Sequence, residues 1–308
     1  MTFKVLASDP LDAGAVKAMR EAGLVVDEKT NLSPEGLVRE IAQYDAIVVR
    51  SATKVKAEVI DAGTRLKLIV RAGVGLDNVD AVHAKKKNVA VRNTPGASSN
   101  SVAELALGHM LSIARHIGRG TASMKAGKWE KKQLEGVELA GKTLGVIGIG
   151  RIGQLLAQKA HALGMTVVCF DAFLTASPIP SVARFVSLDE LLAASDFLSL
   201  HIPYDATKGP TLGEREFAKM KQGVRIVHCA RGGVVDEAAL VRALDAGKVA
   251  GAALDVFATE PPAAGDPLVG AVNVSLTPHI GAATAEAQER VGDEAAKIVI
   301  EFAKTAGE

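Results

Sequence analysis

Three segments in the last third of the chain each end a short apolar run on a polar residue of different chemistry. Residues 224–230 lead to Arg231, Gly232 and Gly233; residues 252–257 lead to Glu260, Pro261 and Pro262; residues 272–277 lead to Pro278, His279, Ile280 and Gly281. A guanidinium on a glycine-flanked turn can clamp a carboxylate through two parallel hydrogen bonds. A histidine is the usual acceptor, near neutral pH, for the hydroxyl proton that must leave when a hydride is drawn from an alcohol carbon. Glu260, on a turn stiffened by two prolines, can orient His279 and favour its protonated form. The chain has seven histidines, and a histidine taken alone is more often a hydrogen-bonded structural residue. The equivalent strand-end positions of Arg231 and Glu260 set His279 apart.

A second constellation is built for an anion. Residues 143–148 read as a buried strand that runs into Gly148, Ile149, Gly150, Arg151, Ile152 and Gly153, and residues 154–163 continue as a helix. In that context Gly148 makes the tight turn, Gly150 lets backbone approach a pyrophosphate, and Gly153 lets helix meet strand, with the helix N-terminal amides aimed at the phosphates. The alternative is a glycine-rich turn with no ligand. Residues 167–170 form the next strand, which ends at Asp171, 18 residues beyond Gly153. A carboxylate there suits ribose hydroxyls and repels a 2′-phosphate, and Ala172, Phe173 and Leu174 offer no cation, so NAD is favoured over NADP.

Positioning such residues requires strand ends, and the composition supplies them. The chain has 308 residues, a formal charge of +1, 48% hydrophobic and only 4% aromatic content, with 30 glycines. At roughly 150 residues per domain this suggests two domains with cores of Ala, Val, Leu and Ile, in an α/β layering. Mixed charges of near-zero sum provide no footprint for nucleic acid and no polybasic membrane patch. No signal-peptide pattern opens the sequence and no apolar run reaches roughly 18 residues, so a cytoplasmic location is the default expectation. Cys169 and Cys229 have neither metal-ligand nor disulfide spacing and read as buried thiols, and no metal site is expected.

Short β-branched runs alternate with amphipathic segments through the first hundred residues, a βαβ rhythm. From Ser98 to Gly127 the apolar spacing predicts one long helix leaving the first domain, followed by a second and stronger βαβ series. The boundary falls near residues 95–99. A last helix over 285–302 is expected to return to the first domain. The expected division is 1–97 with 284–308, and 98–283.

The segments around Arg231, Asp255 to Glu260, and His279 resemble the D-isomer-specific 2-hydroxyacid dehydrogenases over nearly the whole chain. That resemblance implies two doubly wound parallel-sheet domains, a flavodoxin-like substrate domain and a Rossmann NAD-binding domain, with a cleft between them. It implies His279 as general acid/base, Glu260 as its partner and Arg231 as the anchor of the substrate carboxylate and carbonyl. It places the nicotinamide near Asp255, Gly281 and the Cys229–Ala230 backbone, and the other end of the cofactor near Ile202 and Pro203.

Within the family, the segments carrying Arg50 and Ser51 and carrying Arg71, Val74 and Gly75 resemble the phosphoglycerate dehydrogenases. A phosphate plus a carboxylate needs more than one cation, and Arg50 and Arg71 both follow first-domain strands, while Val74 and Gly75 can offer backbone N–H groups. Either arginine alone reads equally well as a solvated charge; the pair favours a ligand. The resemblance extends to the Trp129 segment, where Lys131 would reach the substrate phosphate of a neighbouring subunit, or else is a solvated loop lysine. Oxidation of 3-phospho-D-glycerate is therefore expected, with reduction of glyoxylate, hydroxypyruvate or another 2-keto acid as an alternative and an NAD-sensing corepressor-like role as a non-enzymatic one. The broad apolar surface of residues 99–127 suits burial against a second subunit, and the resemblance implies a homodimer, with a tetramer as the alternative. The longer proteins it resembles append serine-sensing domains after the position of Glu308, so inhibition by serine of that type is not expected.

Overall fold

The computed structural model describes residues 2–306. The chain divides into two compact units, Met1–Ser99 with Ala282–Glu308, and Asn100–Gly281. Along the first run β1 (Lys4–Ala7), α1 (Ala13–Glu21), β2 (Val25–Glu28), α2 (Pro34–Glu40), β3 (Ala46–Val49), α3 (Ala57–Ala62), β4 (Leu68–Arg71), α4 (Ala81–Lys86) and β5 (Ala90–Asn93) alternate. Then come α5 (Ser99–Arg115), α6 (Ile117–Lys125), β6 (Thr143–Ile147), α7 (Arg151–Ala162), β7 (Thr166–Phe170), β8 (Ala183–Phe185), α8 (Leu188–Ala194) and β9 (Phe197–Leu200). The chain closes with α9 (Glu214–Lys219), β10 (Val224–His228), α10 (Glu237–Asp245), β11 (Val249–Leu254), α11 (Pro267–Gly270), β12 (Val274–Leu276) and α12 (Ala285–Thr305).

The first unit is a five-stranded parallel sheet in the order β2-β1-β3-β4-β5. The order reverses between β1 and β3, the crevice where ligands meet such sheets. All four residues of β3 are buried, as a strand covered on both faces requires. One face packs Val5, Val48 and Val70 against α1 and α12; the other packs Leu6, Ile47 and Ile69 against Leu37, Val59 and Ile60. A Cβ on Gly292 would lie 3.0 Å from Asp12 Cβ and 3.1 Å from Ala15 Cβ, so this glycine sets how closely α12 approaches α1. Asp12 and Thr284 cap these helices through the amides of Gly14 and Ala287.

The second unit is a seven-stranded parallel sheet in the order β12-β11-β10-β9-β6-β7-β8, reversing between β6 and β9. Its faces hold Leu198, Ile226 and Leu254 on one side and Leu144, Val146, Phe197 and Val227 on the other, the latter against Ala103, Ala106 and Met110 of α5.

The single long helix expected over 98–127 is broken. His116 adopts φ 53°, ending α5 and starting α6. The Ala114 carbonyl accepts from Val137 N at 2.9 Å, and His116 Nε2 bonds the Glu135 carbonyl at 3.1 Å, so the 135–137 segment satisfies the end of α5. Gly118 and Gly120, poor helix formers, follow the break. No helix among the described residues is long and apolar enough to cross a membrane.

Candidate active site

The glycine turn follows β6. Gly148 has φ 90°, and a Cβ there would lie 2.7 Å from Ile202 Cγ2 and about as close to the His201 backbone. A Cβ on Gly153 would enter the Gly148 carbonyl, whereas Gly150 faces open space. Gly150 is the N-cap of α7 and no side chain caps it, so the first-turn amides at Arg151 and Ile152 are left for an anion. Asp171 closes the turn, with Oδ2 accepting from Ile149 N at 3.1 Å and Oδ1 from Phe173 N at 2.9 Å. The structure thus brings Gly148, Gly153, Asp171 and Ile202 together. An opening that only glycines permit, next to uncapped helix amides and a carboxylate, fits the pyrophosphate and ribose of NAD.

At the ends of β10, β11 and β12 the polar residues converge. His279 Nδ1 meets Glu260 Oε2 at 2.7 Å, and Glu260 Oε1 accepts from Phe257 N at 3.1 Å. The carboxylate therefore fixes the ring from the Nδ1 side and leaves Nε2 as the acceptor for a substrate proton. The His279 side chain is 50% exposed, open to a reactant. A cavity of about 380 Å³ adjoins the pair, walled by Phe257, Val269, Leu276 and Pro278. Such apolar walls strengthen electrostatic contacts on that side.

Arg231 donates from Nη1 to the Ala230 carbonyl at 2.7 Å. A Cβ on Gly232 would collide with the Phe257 carbonyl, so the arginine turn rests directly on the turn leading to Glu260. Across Gly233 (φ 84°) lies the Tyr204 ring, 2.9 Å from where a Cβ would stand. Tyr204 belongs to none of the sequence motifs above. Its signal was an aromatic side chain directly after the strand-end Ile202 and Pro203.

Asp255 is buried and accepts three hydrogen bonds, from Thr277 Oγ1 at 2.6 Å, Ile280 N at 2.8 Å and Gly281 N at 2.8 Å. Oδ2 keeps room for a further donor. Cys229 and Ala230 are buried beside it, and burial raises the Cys229 thiol well above its ordinary range, with Asp255 adding to the effect. That thiol is unreactive.

In the first unit, Arg50 follows β3 and Arg71 ends β4. Asp9 accepts from Arg50 N and from Thr53 N and Oγ1, while Asn78 Nδ2 donates to the Arg50 and Thr53 carbonyls at 2.6 Å. Asn93 Nδ2 holds the Val74 carbonyl at 2.6 Å, and the Arg71 guanidinium lies over Gly73. Asp9, Asn78 and Asn93 thus shape the loops of Arg50, Ser51, Val74 and Gly75, a role only the strand register reveals. Lys131 stands exposed in the 3-10 turn Lys131–Gln133 of the second unit, and no hydrogen bond ties it to the strand-end residues among the described residues.

A D-3-phosphoglycerate dehydrogenase of Archaeoglobus fulgidus is 47% identical over 98% of this chain, which spans 58% of that protein's length. A hydroxypyruvate reductase of Thermotoga maritima is 49% identical over 95% of each chain. The crystal structure of a D-lactate dehydrogenase of Aquifex aeolicus, complexed with NAD and lactic acid, superposes with a TM-score of 0.84 at 32% identity, covering 98% of this chain and 96% of that one. Residues 107–281 match the NAD binding domain of the D-isomer specific 2-hydroxyacid dehydrogenases, and the chain belongs to that family.

Proposed function

We propose that the protein oxidises 3-phospho-D-glycerate to 3-phosphohydroxypyruvate with NAD, the entry step of serine synthesis. The observation that carries the chemistry is the Glu260–His279 pair beside the Arg231 turn. NAD, when bound at Gly148, Gly150, Gly153 and Asp171, supplies an acceptor for the C2 hydride. His279 Nε2 takes the C2 hydroxyl proton, and Glu260 stabilises the imidazolium that results. Arg231 holds the C1 carboxylate and the C2 oxygen as it becomes a carbonyl, and Asp255 offers its remaining acceptor site to the nicotinamide amide.

Arg50 and Arg71 supply the cations that a phosphorylated substrate needs, with Ser51 and the amides of Val74 and Gly75 beside them. Reduction of hydroxypyruvate is the second reading, favoured by the Thermotoga relative that matches nearly end to end. Initial rates with NAD and 3-phospho-D-glycerate, D-glycerate, D-lactate and 2-hydroxyglutarate test the assignment. A clear preference for 3-phospho-D-glycerate is expected, and no NADH from any of the four would contradict it. The exposed Leu111, Ile117 and Met124 support a homodimer through residues 99–127, in which the exposed segment of Trp129 would carry Lys131 toward the neighbouring subunit's substrate. A monomer by sedimentation would refute that arrangement.

A further inference from the structure

His109 lies in α5, outside every motif that marks the site, and is only 3% exposed. Its two ring nitrogens reach the strand that carries His279: Nε2 is 2.9 Å from Thr277 Oγ1, and Nδ1 is 3.3 Å from Ser275 Oγ, which in turn lies 3.1 Å from Ser112 Oγ. A core-filling role needs no such polar side chain, and burying one unmatched is costly.

The direction of each bond follows from proton counting. Thr277 has one hydroxyl proton, and at 2.6 Å it belongs to the Asp255 carboxylate, which can only accept. Thr277 Oγ1 must therefore accept from His109, which places a proton on Nε2. Burial lowers the pKa of His109, against a smaller opposing effect of Asp255, so the ring is neutral and Nδ1 is an acceptor. Ser275 donates to Nδ1, and Ser112 donates to Ser275. One directed chain runs from Ser112 through His109 to Asp255.

What the chain holds is an unfavourable backbone. His279 has φ 52°, a left-handed conformation that is uncommon for any residue other than glycine and that the surroundings must hold. Asp255 grips the backbone after it through Ile280 N and Gly281 N and the side chain before it through Thr277. We propose that His109 is a positioning residue for the dehydrogenase reaction: its Nε2–H bond commits the Thr277 hydroxyl to Asp255 and so keeps His279 in the conformation that meets Glu260. The inference rests on the dehydrogenase reading above, with His279 as the base.

The test compares His109→Met, which keeps bulk but neither donates nor accepts well, with His109→Gln, whose amide can do both, and with Thr277→Val. His109→Met is expected to lower kcat about tenfold, the loss of one buried hydrogen bond, with KM for the hydroxy acid changed less than about twofold. His109→Gln recovers most of that loss, and the double variant His109→Met/Thr277→Val is no slower than Thr277→Val alone. A purely structural role would lower the melting temperature of the Met variant while leaving kcat per folded molecule unchanged, and that result overturns the inference. So does a Gln variant as slow as the Met variant. Should the Met variant not fold, nitrogen-15 NMR of the histidine-labelled wild-type protein decides: an Nε2-protonated, Nδ1-bare ring at His109 supports the chain, and the opposite tautomer refutes it. Wild-type protein that forms no NADH would overturn the dehydrogenase reading, and this inference with it; active wild type with an equally active Met variant overturns this inference alone.

Discussion

The two sheets are alike at one edge and unlike at the other. At the amino edge, each has an aspartate just before the strand across the order reversal: Asp45 before β3 accepts from Lys4 N and Arg65, and Asp196 before β9 accepts from Thr143 N and Lys221. At the carboxyl edge, the first sheet ends in Arg50 and Arg71, steadied by Asp9, Asn78 and Asn93. The second ends in a glycine turn, an arginine turn and a histidine–carboxylate pair. The shared edge is scaffold, and the chemistry is carried by the loops that differ. Under the proposed function, the second edge would carry the reaction on a 2-hydroxy acid and the first would select among such acids.

The largest test strikes the second edge. His279→Ala should lower kcat by about 10²–10⁴-fold for phosphorylated and unphosphorylated acids alike, with NADH affinity by fluorescence little changed. Loss restricted to one substrate would break the division. Arg231→Ala should cost roughly 100-fold in kcat/KM, again across all acids, because the carboxylate is common to them. Steady-state rates with D-glycerate and 3-phospho-D-glycerate would show whether the two fall together.

Arg71→Ala belongs to the other edge. It should lower kcat/KM for 3-phospho-D-glycerate by about 10-fold or more while D-glycerate loses little. Equal losses would assign Arg71 to the carboxylate instead.

A last effect separates the units by stability rather than by rate. His228, buried in β10 under the Arg231 turn, has its pKa pushed by burial down to about 4. The unfolded chain takes that proton first as pH falls below about 6.5, so stability present above that pH is lost between there and about 4, at up to ~1.4 kcal/mol per pH unit. The first unit has one histidine, His83, partly exposed and paired with Asp61 at 3.0 Å. Hydrogen exchange at pH 5 should therefore rise in β10 before β3, and His228→Asn should narrow the gap. Equal rises in both strands would contradict this.

Much of the site was legible because chemistry and spacing coincide. The Gly148 turn has fixed intervals, and Glu260 and His279, though 19 residues apart, both follow apolar strands. What stayed hidden depends on register between strands or on partners distant in sequence. Asp9 serves Arg50 across 41 residues, and His109 meets Thr277 across 168. The break at His116 arises because a distant segment takes the Ala114 carbonyl, which periodicity in α5 does not encode. Edge strands β2 and β8 interrupt their apolar runs with Asp27, Glu28 and Arg184, as exposed edges do, which blurs their pattern in the sequence.

The division of labour is tested most directly by one ratio, kcat/KM for 3-phospho-D-glycerate over D-glycerate, in wild type and in Arg50→Ala/Arg71→Ala. A large ratio is expected in the wild type, falling at least about tenfold in the variant while D-glycerate turnover persists. A ratio that does not change, or a variant inactive on both acids though folded, would contradict it.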